Sequence, residues 1–207
     1  MKQVVKYNID NINQKYPNAN YYLIYGQKSN GKSYQVKHKE GVLHYVNTSK
    51  KFVLLRRWRE DLSTSWIEKY FGDVDVEKIT NGEFNAITQY RKDLFFSKID
   101  DKMKVKKGYQ IGTCIPLSRE QHMSGASMLD YDRIIFEEFM ERGVYVPHES
   151  SKLEILYNTI DRRTRRNKML HGRKYDFQSM SLFARLEFAF DCQKLKTRSD
   201  DRSKNWK

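Results

Sequence analysis

Residues Gly26 to Ser33 read G-Q-K-S-N-G-K-S and follow the apolar, β-rich run Tyr21, Tyr22, Leu23, Ile24, Tyr25. The pattern G-x-x-x-x-G-K-[S/T] between a strand and a helix constrains the fold more than any other feature. It requires a tight glycine-bearing turn whose backbone N–H groups converge on an anion at a helix N-terminus. In such a loop Gly26, Gln27, Lys28, Ser29, Asn30 and Gly31 cradle the phosphates of a nucleoside triphosphate. Lys32 reaches the β and γ phosphates, and Ser33 offers its hydroxyl to Mg²⁺. A chance match would not bring the preceding strand with it, nor the helix predicted over Ser33–Lys39. Lys28 either adds a second positive charge near the γ phosphate or faces solvent.

With 207 residues there is room for one sizeable α/β domain, or one domain and a short appendage. Lys and Arg outnumber Asp and Glu by 39 to 26, a net charge of +13 that favours a polyanionic partner, nucleic acid first among them. Cys114 and Cys192 stand in dissimilar settings and suggest neither a disulfide framework nor a metal site, which fits a reducing cytoplasm. No apolar run approaches the roughly 18 residues of a membrane span, and Met1–Asp10 lacks the apolar core of a signal peptide. A soluble intracellular protein with no membrane partner is expected. The five histidines have no metal-ligand spacing and read as surface or structural residues.

Residues 1–20 form a polar lead-in with a short helix over Ile9–Tyr16. Phe52–Leu55 is a second β-rich run, ending in Arg56, Arg57, Trp58 and Arg59. Asp61 or Ser63 caps the next helix, which carries Leu62, Trp66, Ile67 and Tyr70 on one side and closes at Gly72. From Glu83 to Leu117 the pattern becomes a β-meander of Ile87–Tyr90, Leu94–Ile99 and Tyr109–Ile115. Lys102, Lys104, Lys106 and Lys107 form its basic turn and face either DNA or solvent.

Asp132 to Phe139 reads D-R-I-I-F-E-E-F, a short buried strand that terminates in two carboxylates. In open α/β sheets ligands bind beyond the carboxyl ends of the strands, so Glu137 and Glu138 are expected on the rim that carries the phosphate loop. Triphosphate hydrolysis needs a carboxylate for the Mg²⁺ shell and a base for the attacking water. Glu137 suits the first role and Glu138 the second; the bland alternative is a solvated surface pair. Glu149–Arg163 is a predicted helix with Leu153, Leu156, Tyr157 and Ile160 on one face. Among Arg162, Arg163, Arg165 and Arg166 at its end, Arg162 is the best candidate for a trans-acting arginine finger, with binding of a nucleic-acid backbone as the rival role.

The phosphate loop, the strand ending R-R-W-R-E-D-L, the segment I-P-L-S at Ile115–Ser118, I-I-F-E-E-F and the following N-T-I-D-R-R together resemble the φ29-type phage genome-packaging ATPases, over about Tyr21 to Arg166. That resemblance implies a P-loop NTPase of the FtsK/HerA-like branch with a RecA/ASCE-like three-layer α/β sandwich, a central mostly parallel sheet and the β-meander as an insertion. It implies ATP and Mg²⁺ as cofactors and a homo-oligomeric ring, expected to be a pentamer. The ring would drive double-stranded DNA into a procapsid through its portal or connector, with a scaffold RNA in some systems, at the portal vertex in the host cytoplasm.

Matched residue by residue, Lys32 and Ser33 become the phosphate and metal residues, Lys28 the basic residue within the loop, Glu138 the catalytic glutamate and Arg162 the finger. Arg59 falls where a DNA-facing pore residue belongs. Glu137 stands where the family usually has aspartate, and a lysine expected between I-P-L-S and the carboxylate strand has no counterpart in Arg119–Leu129.

Beyond Arg166 the resemblance implies a strand, an Asn-bearing turn and a later RNase H-like domain, whereas residues 167–207 form an atypical basic tail. Permissible codons for His171–Phe183, read one nucleotide out of register, yield M-V-G-N-T-I-S-N-P-C-P-Y-F. The expectation is a frameshift near Asn167, with the nuclease-like domain absent; the alternative is a genuine amphipathic helix over Ser181–Lys196. Two other functions stay open: a different P-loop enzyme such as a kinase or GTPase, although no N-K-x-D guanine motif is present, and a nucleotide-dependent nucleic-acid-binding module without turnover.

Overall fold

The structure is a computed structural model that describes residues 8–15, 22, 24, 31–119, 128–138 and 146–166, with side chains as far as 160. The chain divides into two compact units, Met1–Val146 and Pro147–Lys207. Gly26–Asn30 and the tail from 167, including the segments on which the frameshift and amphipathic-helix readings rest, lie outside the described residues. So does the strand expected at Tyr21–Tyr25, apart from Tyr22 and Ile24.

The first unit begins with α1 (Ile9–Lys15), as the lead-in pattern predicts. A long helical segment then runs without a break from α2 (Lys32–Gln35) through a π-helical stretch, Val36–Leu43, into α3 (His44–Thr48). It is more than twice the predicted length, and the wider π turns bring Gly41 against the sheet. A Cβ there would lie 3.2 Å from Ile135 Cδ1. The segment ends at Ser49, whose left-handed backbone (φ +58°) turns the chain into β1 (Lys51–Arg56).

A 3₁₀ turn at Glu60–Leu62 precedes α4 (Thr64–Phe71). Of the two candidate caps, Ser63 is the one used: its side chain accepts a hydrogen bond from Trp66 N–H at 3.4 Å. Asp75 caps α5 (Val76–Ile79), a short helix not predicted from the sequence, by accepting from Lys78 N–H at 3.0 Å.

Strands β2 (Ala86–Tyr90), β3 (Asp93–Ile99) and β4 (Val105–Pro116) form the predicted antiparallel meander. β4 starts four residues earlier than expected, so Lys106 and Lys107 are strand residues rather than turn residues. The turn itself is confined to 100–104 because Asp100 gathers it: its carboxylate accepts from the N–H groups of Lys102 and Lys104 at 3.0 and 2.7 Å.

With β5 (Tyr131–Phe136) the sheet order is β2-β3-β4-β1-β5. β1 pairs in parallel with both β4 and β5, so the sheet is evenly mixed among the described residues rather than mostly parallel. Burial on both faces of β1, where Phe52, Val53, Leu54 and Leu55 are fully inaccessible, fits a central parallel strand. Phe52, Leu54, Leu94, Phe96 and Ile111 on the sheet pack in one core with Val42, Ile67 and Phe71 on the helices. The second unit contributes α6 (Glu149–Arg166), with Leu156 and Ile160 buried one turn apart, three residues longer than predicted. No helix among the described residues is long and apolar enough to cross a membrane.

Gly112 on β4 faces Phe52 across the β1 pairing, and a Cβ there would sit 2.6 Å from the Phe52 carbonyl oxygen. Gly112→Ala is therefore expected to destabilise the fold by roughly 1–3 kcal/mol, read as a lower urea midpoint at unchanged slope. Cys114 is buried in the same strand; desolvation, aided by the charge of Asp93, raises its thiol from the ordinary 9.0 to about 12. Iodoacetamide at about pH 8 should leave Cys114 unmodified in the native protein and label it after unfolding, by peptide mass mapping. The stability linked to this thiol is complete below its unfolded pKa and is lost as pH rises from there toward its folded value.

Candidate functional site

Gly31 has φ +82°, the left-handed conformation in which a glycine costs least, and its carbonyl accepts the Gln35 N–H at 2.9 Å as the helix begins. Lys32 and Ser33 are thereby placed in the first helical turn, where backbone N–H groups and the helix dipole favour anions.

Across the sheet, the Glu137 N–H bonds the Leu55 carbonyl at 3.1 Å, carrying the β1–β5 ladder one residue past the end of β5. This holds the Glu137 carboxylate between two donors. Ser33 Oγ–H donates to Oε2 at 3.3 Å, and Tyr70 O–H, from the last turn of α4, donates to Oε1 at 2.7 Å. Burial and, after it, the charge and acceptor of Glu137 raise the Tyr70 phenol well above its ordinary range, so Tyr70 stands as a donor at neutral pH.

Glu138 turns the other way because its backbone is left-handed, φ +55°. It is exposed, and Arg56 Nη2 meets its Oε2 at 2.8 Å while lying 3.6 Å from Asp61. The Arg56 guanidinium sits 4.7 Å over the Trp66 ring, and Trp66 in turn stacks on Tyr70 at 4.7 Å. Arg57, also buried, donates to the Glu138 backbone carbonyl at 2.7 Å and lies 5.5 Å over Phe136. Two buried arginines at the end of one parallel strand are thus met by the acidic turn at the end of the next.

Lys37 is buried one turn after Ser33. It pairs with Asp73 at 2.5 Å, donates to the Tyr70 carbonyl and lies 4.7 Å over the Tyr70 ring.

The structure therefore brings Ser33, Glu137 and Glu138 to one rim, as the sequence suggests, and adds Arg56, Arg57, Trp66, Tyr70 and Lys37, none of which the sequence patterns single out as a site residue. The signal for the arginines lies in the sequence as two adjacent charges closing an apolar strand, an arrangement that needs partners once buried. Ser33 and Glu137 offer a hydroxyl and a carboxylate oxygen within hydrogen-bond reach of one another, a hard donor set that fits Mg²⁺ retaining part of its water shell.

Arg59 is exposed at the start of the 3₁₀ turn. Lys104, Lys106 and Lys107 are exposed; Lys106 stands directly across from Lys98, and Lys107 Nζ lies 3.5 Å over the Tyr90 ring. Arg162, Arg163, Arg165 and Arg166 belong to α6, but their side chains lie outside the described residues, as do Gly26, Gln27, Lys28, Ser29 and Asn30. His44 Nε2 bonds both Asp132 oxygens, at 2.9 and 3.0 Å, a contact between α3 and β5 remote in sequence.

The sequence model of the family described as Podovirus DNA encapsidation protein (Gp16) matches residues 1–175. The fold resembles the N-terminal domain of the DNA packaging ATPase from bacteriophage phi29, with a TM-score of 0.50 and 23% identity over 66% of this chain and 62% of that one. It also resembles a chain of the bacteriophage Phi-29 viral genome packaging motor assembly, with a TM-score of 0.59 and 20% identity over 82% of this chain and 44% of that one. The matches thus take in less than two thirds of either phage chain. No curated protein matches the chain.

Arg56→Ala is expected to lower stability by about 1–2 kcal/mol through loss of the contact with Trp66 and of a half-screened ion pair. Asp61→Asn should cost less than about 0.5 kcal/mol. Urea unfolding of the two variants checks the difference.

Proposed function

The chain belongs to the Podovirus DNA encapsidation protein (Gp16) family, and from that premise we propose that it is an ATP-hydrolysing motor subunit that moves double-stranded DNA into a procapsid. Residues 21–166 would form its ATPase domain, a P-loop NTPase of the RecA/ASCE type. The observation that carries this reading is the meeting of Ser33 Oγ with Glu137 Oε2 at 3.3 Å, across 104 positions of sequence, in front of a glycine-initiated helix. Either residue alone is commonplace. Their juxtaposition at the carboxyl end of parallel strands is what a magnesium-nucleotide site requires.

ATP binds with its phosphates against Gly26–Ser33, and Lys32 neutralises the β and γ oxygens. Bound Mg²⁺ supplies electrostatic stabilisation of the charge that develops on the γ phosphate. Ser33 and Glu137 would hold it from the protein side. Glu138, exposed on the same turn and paired with Arg56 when no nucleotide is bound, exchanges that pairing for the attacking water and accepts a proton from it. A neighbouring subunit supplies an arginine from the end of α6, Arg162 first among the four candidates, so hydrolysis depends on assembly into a ring. Arg59 and the lysines Lys104, Lys106 and Lys107 contact the DNA backbone, where each charge releases counterions and makes binding salt-dependent. The place of work is the portal vertex of the procapsid in the host cytoplasm, with a pentameric ring on the portal or connector and room for a scaffold RNA.

The test is ATP hydrolysis by the assembled protein with and without double-stranded DNA. Lys32→Ala and Glu138→Gln should each reduce DNA-stimulated turnover by roughly a hundredfold or more, while Glu138→Gln keeps nucleotide binding. Undiminished turnover in either variant would overturn the site assignment. DNA binding that responds to nucleotide with no turnover in the parent protein would instead favour a binding module.

A further inference from the structure

We propose that Tyr70 is the positioning residue for Glu137, holding one carboxylate oxygen so that the other is presented with Ser33 to the nucleotide-bound metal. This rests on the reading of Ser33 and Glu137 as the magnesium site. The geometry is a closed circuit of contacts. Ser33 and Lys37 are one turn apart on the same helical segment; Ser33 addresses Glu137 Oε2 at 3.3 Å, and Glu137 Oε1 accepts from Tyr70 at 2.7 Å. Lys37 closes the circuit by donating to the Tyr70 carbonyl and lying 4.7 Å over its ring.

Tyr70 itself has little freedom. Trp66 stacks on one side of it, with ring centroids 4.7 Å apart, Phe71 meets it edge to face at 4.9 Å, and Lys37 is anchored in turn by Asp73. A glutamate side chain has three rotatable bonds, and a metal ligand gains affinity when its orientation is fixed before the metal arrives. The phenol does this without competing for the cation, because it donates to the oxygen that Ser33 does not use. The same circuit ties the metal carboxylate to the helix that starts at the phosphate loop, so Ser33 and Glu137 keep their spacing as a unit.

Tyr70→Phe removes the donor and keeps the ring, and thereby the stacking on Trp66. The experiment titrates Mg²⁺ into the full-length protein with a fluorescent ATP analogue, against a parallel titration in excess chelator. The variant is expected to need about tenfold more Mg²⁺ for half-maximal tight binding, with its metal-free nucleotide affinity unchanged. A Mg²⁺ dependence equal to that of the parent, even with lowered thermal stability, would reduce Tyr70 to a packing residue.

Glu137→Asp, one methylene shorter, cannot span Ser33 and Tyr70 together. It should shift the Mg²⁺ curve in the same direction, and Tyr70→Phe added to it should shift the curve no further. Full additivity of the two changes would also overturn the proposal; if Tyr70→Phe does not fold, Lys37→Met, which loosens Tyr70 and leaves Glu137 and the phenol intact, should shift the Mg²⁺ curve in the same direction, and an unshifted curve would overturn it. A parent protein whose nucleotide binding ignores Mg²⁺ would overturn the magnesium-site reading instead, an outcome that leaves a different signature from equal curves in parent and variant.

Discussion

The parallel pairing of β1 with β5 decides where every charged group of the candidate site stands. Parallel strands that end in register deliver their next residues to the same rim, and here Leu55 opposite Phe136 is the last paired position. Past that pair, β1 ends at Arg56 and leads into Arg57, and β5 leads into Glu137 and Glu138. Burying a guanidinium is costly unless its donors are met. The two arginines are met by the Glu138 side chain and backbone and by the faces of Trp66 and Phe136. The left-handed backbone of Glu138 is part of the same settlement, because it separates two adjacent carboxylates that would otherwise repel one another at close range. One is turned toward Ser33 on the glycine-initiated helix and the other toward the arginines.

Helix α4 then acts as the shared support of both carboxylates. Trp66 and Tyr70 are four residues apart and so lie on one face. The first underlies the arginine that holds Glu138, and the second bonds Glu137 directly. The helix owes its start to Ser63 and is separated from the exposed Arg59 by only a 3₁₀ turn, so a single short stretch of chain carries a surface cation, a cap and the underside of the acidic turn. The long helical segment supports the site from the other direction. Its π-helical stretch lets Gly41 approach the sheet closely, while Lys37 reaches out to Tyr70 and Asp73. The meander is built differently. Its three strands are antiparallel and largely local, and its far end is kept in shape by Asp100, which collects two backbone N–H groups, and by Asn85, which exchanges hydrogen bonds with Ile99 across the strands. Lys98 directly faces Lys106 on adjacent strands, an arrangement that costs stability when both charges are solvated. The fold tolerates it at a place remote from the core.

How much of this is legible in the sequence depends on whether the determinant is local. The glycine-initiated helix, the strand closing on two glutamates, the meander and the cap-to-Gly72 span of α4 all arise from short patterns, and the structure places each within a few residues of expectation. The length of the helix beyond Ser33 is not legible, because Val36–Leu43 is weakly amphipathic and the close approach of Gly41 to Phe52 and Ile135 is a tertiary contact that no local pattern reports. Lys106 and Lys107 read as turn residues because charge suggests a loop, whereas cross-strand pairing with β3 outweighs it at both positions.

Tyr70 marks the deeper limit. Its position on the apolar face of α4 is correctly read from periodicity, and burial is the only property periodicity reports. A buried phenol needs an acceptor, and the acceptor it finds is 67 residues away on a strand end. The one-dimensional pattern treats Tyr and Phe alike at that position. The choice of tyrosine acquires meaning only when the sheet brings Glu137 beneath it, which is why the partner of a buried polar tip is worth seeking among carboxylates that close neighbouring strands.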